Sequence, residues 1–322
     1  MLYQLKEVKN SILIAASLIG CFSFAQVFAQ SFPTGATASG SFGSDYWIYG
    51  DVAPKDGVLE AYTTGVSPVT PLQAISDSAF TPLYAGGNVE LFANSDSSGF
   101  VDPAAGGAFA NAAHTTLSVG LASGRNVVFS SLNGTDWFDT GGAYNLAYGA
   151  SNLANQWYQD FLVNSGALGL NITAFGQEQT VYERWRDGGL FSRLSDPNIS
   201  YVYESGGILN FALGGFIDES PRLRVALVEA GMGALLGFVP DGIQISEAVL
   251  LNGQAHFGFT AEDSGVSYDD NLLGLDAGNC LLLVDSYTGS YQFSASMPEP
   301  SSMMLSLLGL LFLIRRRRGR NS

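Results

Sequence analysis

The sequence predicts an α+β fold that is mainly β, organised as a β-sandwich-like domain with a helical insertion around residues 145–190. Two observations support this prediction. The 39 glycines, the 12% aromatic residues and the low share of charged residues, 13%, are typical of short strands joined by tight turns. In the middle of the chain, apolar residues instead recur every four positions, as they do on one face of a helix. The 47% hydrophobic content is enough to bury a substantial core.

Short runs with strand character fill the first half of the chain. Leu117, Val119 and Leu121 alternate with smaller or polar residues, which is the pattern of a half-buried strand. Clusters of Pro, Gly, Ser and Asp separate the runs and mark turns. The other strands predicted in this half lie at Tyr46 to Tyr49, Val58 to Tyr62 and Val89 to Phe92.

The insertion begins with an amphipathic helix, predicted over Ser151 to Gly166. Leu153, Trp157 and Phe161 recur every four residues, with Ser151 or Asn152 as the N-cap and Gly166 as the stop. Aromatic residues of this kind could form a sugar platform, but their helical spacing favours a buried core face. A second helix is predicted over Gln177 to Arg186, before Gly188 and Gly189.

The segment Leu223 to Ala230 fits two structures. Ser220 and Pro221 could begin a helix whose apolar face holds Leu223, Ala226 and Leu227. Alternation over the same residues fits a strand equally well, and arginines near a helix N-terminus would oppose its dipole. Both alternatives remain open from the residues alone. Further strands are predicted at Ile243 to Ile245, Ala255 to Phe259, Leu281 to Val284 and Tyr291 to Phe293.

The first 29 residues have the three parts of a secretory signal peptide. Lys6 and Lys9 supply the positive flank, and Ser11 to Phe24 is the apolar stretch. Small or modest side chains then precede a cleavage site between Ala29 and Gln30. The alternative is a transmembrane anchor, but the apolar stretch is shorter than the roughly 20 residues that span a bilayer.

Each of the two cysteines has a separate interpretation. Cys21 follows Leu18-Ile19-Gly20, so this segment also resembles a lipobox whose cysteine would be lipidated. If the signal peptide is removed at Ala29, Cys280 remains alone and can form no intramolecular disulfide. Cys280 opens an apolar run that reads as a buried strand, and we expect it to be a small core residue.

The carboxy terminus combines three features in a fixed order. A Pro-Glu-Pro tripeptide is followed by the apolar run Met303 to Ile314 and then by a block of arginines at the chain end. This order resembles the PEP-CTERM sorting signal, and it covers about the last 25 residues. The residues that carry the resemblance are Pro298, Glu299, Pro300, Arg315, Arg316, Arg317 and Arg318.

The resemblance to PEP-CTERM proteins implies a processing route. In that family an exosortase, an integral membrane protease, removes the tail near the tripeptide and passes the protein onward to the surface. The apolar run would span only about 18 Å as a helix, against a hydrocarbon core of about 30 Å. It is therefore better suited to a transient stop than to a permanent anchor. An uncut tail anchor is the alternative.

The body of the chain also resembles a group of PEP-CTERM proteins found mostly in cyanobacteria. The resemblance rests on the segments Ser131 to Phe138, Tyr144 to Phe161 and Leu194 to Val202, and it extends over roughly Leu117 to Ser296. It implies one folded domain over residues 30–296, between the signal peptide and the sorting segment 297–322, and a Gram-negative source. It implies no activity or substrate.

The charge of the chain excludes nucleic acid as a partner. The formal net charge is −15, and half of the 14 Lys and Arg residues lie in the two end segments that we expect to be removed. The processed protein would therefore be more acidic still. Nucleic-acid affinity comes mainly from neutralising phosphates with Lys and Arg, and the processed protein would keep few of these residues against many acidic ones.

The sequence offers few candidates for chemistry, and we predict no catalytic residue, metal site or cofactor. His114 and His256 lie far apart, with no HExxH pair and no cysteine cluster to complete a zinc site. The run Asn94 to Gly99 resembles the first half of a twelve-residue calcium-binding loop. The twelfth residue of such a loop is normally Glu, but here it is Ala105. Two carboxylate pairs could in principle serve a glycosidase. They are Glu178 with Glu183, and Asp136 with Asp139.

The sequence as a whole predicts an exported protein of the cell surface or extracellular matrix, with a transient anchor and a non-catalytic structural or interaction role. Signal peptidase and exosortase are its expected processing partners, and exopolysaccharide is a possible surface partner. The alternative function is that of a secreted carbohydrate-binding or carbohydrate-degrading protein.

Overall fold

The computed structural model describes residues 31–50, 58–61, 70–80, 88–92, 103–104, 106–167, 170–214, 217–218, 220–239, 244–259, 262–268 and 286–297. Their strands are β1 (Pro33–Ala38), β2 (Tyr46–Gly50), β3 (Val58–Ala61), β4 (Asn88–Leu91), β5 (Thr116–Leu121), β6 (Asn126–Ser130), β7 (Asn198–Ser205), β8 (Ile208–Gly214), β9 (Ile217–Asp218), β10 (Gln244–Ile245), β11 (Val249–Leu251), β12 (Gln254–His256), β13 (Glu262–Tyr268) and β14 (Ser286–Ser296). Their helices are α1 (Pro71–Phe80), α2 (Gly134–Phe138), α3 (Leu153–Ala167), α4 (Glu178–Asp187), α5 (Leu190–Arg193) and α6 (Ser220–Glu229), with 3-10 helices at Ile172–Phe175 and Gly233–Phe238.

The predicted α+β class is confirmed, and helices and strands take about equal shares of the described residues. The helical share is larger than expected because α1 and α6 lie outside the insertion at 145–190. The predicted strands that the structure describes in the first half of the chain are present as β2, β3, β4 and β5. In β5, Leu117, Val119 and Leu121 are buried and the residues between them are half-buried, as alternation predicts.

Two sheets form the β-part of the fold. The first is antiparallel, with the strand order β1-β5-β6-β11-β12. The second has the order β13-β14-β8-β7-β4-β2-β3 and closes on itself where β13 pairs in parallel with β3. One apolar core lies between the two sheets. Phe129 of β6 meets Phe211 of β8 there, with ring centroids 5.2 Å apart. Two sheets packed on one core are the sandwich-like feature that the sequence predicts, whereas the closure of the second sheet was not predicted.

A second apolar core lies among the helices of the insertion. Asn152 accepts a hydrogen bond at Oδ1 from the Asn155 amide, 3.0 Å away, so Asn152 is the residue that caps α3. The helix runs to Ala167, one residue past the predicted stop. Trp157 and Phe161 are buried, so the aromatic stripe of α3 is core and not a sugar platform.

The ambiguous segment at 223–230 is a helix, α6, over Ser220–Glu229. Leu223 and Leu227 are fully buried, whereas Val225 is 53% exposed. A strand would bury all three, so the burial follows the helical period and not the period of two. Arg224 donates from Nη2 to the Val239 carbonyl at 3.0 Å, which gives this arginine near the positive end of the helix a compensating partner.

The predicted strand at Ala255 to Phe259 is too long, because β12 ends at His256. Beyond it, the Gly258 amide donates to Ser246 Oγ at 2.6 Å, and the chain turns so that Phe257 and Phe259 pack against the helical core. That core competes for the two rings and ends the sheet pairing. The Tyr291 to Phe293 strand is confirmed within β14.

Several predictions fall outside the described residues. They are the signal peptide with Cys21, the calcium-like run Asn94 to Gly99, the strand at Leu281 to Val284 with Cys280, and the sorting segment after Met297. In the part of the chain that the structure describes, no helix has both the length and the apolar character needed to cross a membrane.

Candidate binding groove

A groove of about 1210 Å³ lies between the five-stranded sheet and helix α3. Its sheet side is formed by residues that alternate with core residues along the strands. Thr116 pairs with Ser130, and Ser130 pairs with Leu250, so these three form one row across β5, β6 and β11. Their sequence neighbours Leu117 and Leu251 face the core. The period of two thus sends one set of side chains into the core and the other into the groove.

The β11–β12 hairpin extends this side of the groove. Asn252 and Gly253 both have positive φ, 49° and 84°, as a two-residue type I′ turn requires. Asn252 also fastens the hairpin tip to β6. Its side-chain Oδ1 accepts from the backbone amide of Val128 at 3.0 Å, and its backbone amide donates to the Val128 carbonyl at 2.9 Å. Gln254, directly after the turn, lines the groove with an exposed side chain.

Helix α3 forms the opposite wall. Leu153, Gln156 and Asp160 lie three and four residues apart, so they share the helix face that lines the groove. The face that carries Trp157 and Phe161 is buried in the helical core, which sets the rotation of the helix about its axis. Gln156 and Asp160 therefore present an amide and a carboxylate to the groove.

His114 and Asp136 form a polar pair that also lines the groove. His114 Nε2 lies 2.7 Å from Asp136 Oδ2. The same carboxylate oxygen accepts from the Asn133 amide at 2.7 Å, and Asn133 Oδ1 accepts from the Asp136 amide at 3.1 Å. These reciprocal bonds are the capping box of α2. The hydrogen bond to Asp136 raises the pKa of His114, against an opposing effect of burial, so the pair favours the protonated imidazole.

His256 reaches the same groove in a different environment. Its ring packs edge-on against Phe211 and Phe293, with centroids 5.5 Å and 6.0 Å away. Burial lowers the pKa of His256, because the charged form loses hydration there. The structure thus brings to one groove two histidines that the sequence predicts to be unrelated, and it leaves His256 neutral near pH 7.

The structure does not assemble either of the two carboxylate pairs considered from the sequence at this groove. Asp136 lines it, but Asp139 does not, and Asp139 Oδ1 accepts from the Gly142 amide at 2.6 Å in a tight turn. Neither Glu178 nor Glu183 lines the groove, and Glu183 accepts from Gln179 at 2.8 Å on α4. Across the described ranges, no three His, Cys, Asp or Glu side chains lie close enough together to hold a metal ion.

The groove itself was not predicted from the sequence, although one local signal points to part of it. Asn252-Gly253 directly after a short apolar run is a strong hairpin signal, and it places Gln254 and His256 on the returning strand. The other lining residues come from separate parts of the chain, and no local pattern connects them. The predicted processing residues Ala29, Gln30, Pro298, Glu299, Pro300 and Arg315 to Arg318 lie outside the described residues.

Comparisons of this chain with protein-family models, with curated proteins and with solved structures found no match.

Proposed function

We propose that this protein is exported, processed at both ends and sorted to the cell surface or extracellular matrix, where it has a non-catalytic interaction role. One observation carries the proposal: the order of Pro298-Glu299-Pro300, an apolar run and the arginine block at the end of the sequence. Signal peptidase and exosortase are the proposed processing partners. The membrane is a transient partner through the apolar run.

Moving arginine through a bilayer is costly, and this cost determines how the sorting segment behaves. Each arginine at the centre of a membrane helix costs roughly 2.5 to 3.5 kcal/mol, so the block Arg315 to Arg318 should halt export and remain cytoplasmic. The short run before it, Met303 to Ile314, matches the bilayer only if the arginines snorkel and the bilayer thins. Such a segment holds the chain until a protease releases it.

The sorting prediction is tested by intact mass in the native host. The wild-type protein should be recovered without residues 1–29 and without the segment after the Pro-Glu-Pro tripeptide. Replacing Arg315 to Arg318 with serine should remove the stop signal and abolish this tail cleavage. Arg320→Ser, which leaves the block intact, is the matched control and should be processed normally. Normal processing of the four-serine variant would contradict the proposal.

A role in binding carbohydrate at the groove is the second candidate, and the lining of the groove favours it. The described lining residues combine hydroxyl groups, amides and apolar surface, with Thr116, Ser130, Gln156, Gln254 and Phe257 as examples. Hydroxyl and amide groups can donate to and accept from sugar hydroxyls, and a ring such as Phe257 can pack on the apolar face of a sugar. The open groove would admit a segment of a polysaccharide chain.

A binding role is preferred to a hydrolytic one because the carboxylate of Asp136 is already engaged in contacts within the protein. Its Oδ2 already accepts the Asn133 amide and contacts His114, so Asp136 holds the α2 cap in place. Ser130 Oγ donates to the Ser131 carbonyl at 2.9 Å, so its hydroxyl proton is already engaged by the backbone. The groove therefore supplies recognition groups rather than a linked set of catalytic ones.

A double substitution tests the groove as a glycan site. Gln156→Ala with Gln254→Ala removes two amides from opposite walls, each worth about 0.5–1.5 kcal/mol when hydrogen-bonded, so we expect roughly tenfold weaker binding of exopolysaccharide from the host. Gln159→Ala on the same helix is the control, since Gln159 does not line the groove. Isothermal titration or affinity electrophoresis measures the change. Equal binding by all three proteins would remove the groove from the function.

A further inference from the structure

We infer that the groove selects an uncharged polysaccharide and rejects an anionic one, and that Asp160 is the residue that sets this preference. The inference rests on the proposed role of the groove in binding carbohydrate. It goes further by naming the charge class of the ligand. The charged groups that line the groove, and the contacts that each of them makes, support this preference.

The charged lining of the groove is acidic. Among the described lining residues there are two carboxylates, Asp136 and Asp160, and no Lys or Arg. Anionic polysaccharides such as polyuronates carry a carboxylate on each sugar, and proteins bind such groups mainly through guanidinium and ammonium groups. Among the described lining residues the groove presents neither group, and the imidazole of His114, which could carry a positive charge, is already paired with Asp136.

Four described arginines are committed elsewhere and do not line the groove. Arg125 is paired with Glu204, and Arg186 with Asp187 at 2.7 Å. Arg184 lies 3.3 Å from Glu229, and Arg224 donates to the Val239 carbonyl. None of these four side chains is therefore placed to pair with a polyuronate in the groove.

The two carboxylates of the groove are not equivalent. Asp136 is neutralised in part by His114, whose protonated form the pair favours, and it accepts the Asn133 amide as well. Asp160 is exposed on α3, and its carboxylate accepts no hydrogen bond from the described residues. Its charge is therefore available to a ligand. A neutral sugar can donate its hydroxyls to Asp160, whereas a uronate would meet it with a like charge.

The effect of Asp160 should be local and sensitive to salt. The Debye length is about 10 Å at 0.1 M ionic strength, so the negative charge on distant parts of the protein is largely screened there, while a charge inside the groove still acts on a bound chain. Repulsion of a polyuronate should accordingly weaken as salt is added. Binding of a neutral glucan should change little, because it involves no charge on the ligand.

The test compares a neutral glucan with a polyuronate of equal length, binding to the protein recovered from its native host. The wild-type protein should bind the glucan and bind the polyuronate at least fivefold more weakly. Asp160→Asn should keep the glucan affinity within about twofold and raise the polyuronate affinity about fivefold at low salt, the upper range for one exposed charge. Glu229→Gln, which removes an equal charge outside the groove, should change neither affinity.

The possible failures are distinguishable. If the protein binds both polymers equally well, or if Asp160→Asn leaves the ratio of the two affinities unchanged, the charge selection is wrong while the groove remains a glycan site. If the polyuronate binds and the glucan does not, the inferred preference is reversed and therefore wrong. If neither polymer binds, the groove has no role with carbohydrate and the inference fails with it.

Discussion

Trp157→Ala is expected to lower the free energy of unfolding by about 3–5 kcal/mol, the usual cost of truncating a buried Trp or Phe. Trp157 is fully buried in the helical core. Its ring contacts those of Phe191, Phe259 and Trp185 at centroid distances of 5.8 Å, 5.2 Å and 6.1 Å. Truncation would leave a cavity between helices α3, α4 and α5, whose packing depends on these rings.

Two controls separate the loss of packing from other effects. Among the described residues, Trp157 Nε1 has no hydrogen-bond partner, so Trp157→Phe removes volume but no hydrogen bond and should cost less than the alanine variant. Phe175→Ala, at a ring that is 48% exposed, should cost under about 1 kcal/mol. Urea unfolding followed by circular dichroism measures all three. If Trp157→Ala lowers the free energy of unfolding by less than Phe175→Ala does, this aromatic cluster does not hold the helices together.

Glu204→Ala is expected to destabilise the fold by about 3–5 kcal/mol, because it strips a buried arginine of its partner. Arg125, in the turn between β5 and β6, forms an ion pair with Glu204 on β7, and the two side chains are only 16% and 9% exposed. The pair therefore connects the five-stranded sheet to the second sheet. Removing the carboxylate leaves an uncompensated guanidinium group in a site with little access to water.

An exposed ion pair provides the control for the buried Arg125–Glu204 pair. Arg184 and Glu229 lie 3.3 Å apart with side chains 54% and 46% exposed, so Glu229→Ala should cost at most about 1 kcal/mol. The double variant Arg125→Met with Glu204→Leu should recover much of the stability lost in Glu204→Ala, since it removes both charges together. Equal costs for Glu204→Ala and Glu229→Ala in guanidinium unfolding would mean that burial of the Arg125 pair contributes nothing.

The helices show which elements a local sequence pattern can predict and which it cannot. Helix α3 was predictable because about four turns of amphipathic pattern and a capping Asn152 agree over one stretch of chain. Helix α6 was not, because two periods fit the same few residues. Leu223, Ala226 and Leu227 fit a helical face, whereas Leu223, Val225 and Leu227 alternate as in a strand. The choice was made by the helical core, which buries Leu223 and Leu227 and leaves Val225 exposed. A short apolar segment takes the structure that its neighbours can pack against.

The sequence by itself determined the α+β class, the positions of about half of the described strands, the helix α3 and the acidic character that argues against nucleic acid. These depend on composition and on periods of two or four residues, which are local. The tertiary structure alone decided that His114 and Asp136 meet His256 and α3 at one groove, and that Arg125 meets Glu204 across two sheets. Contacts between residues far apart in the chain depend on which faces pack together, and no short stretch of sequence carries that information.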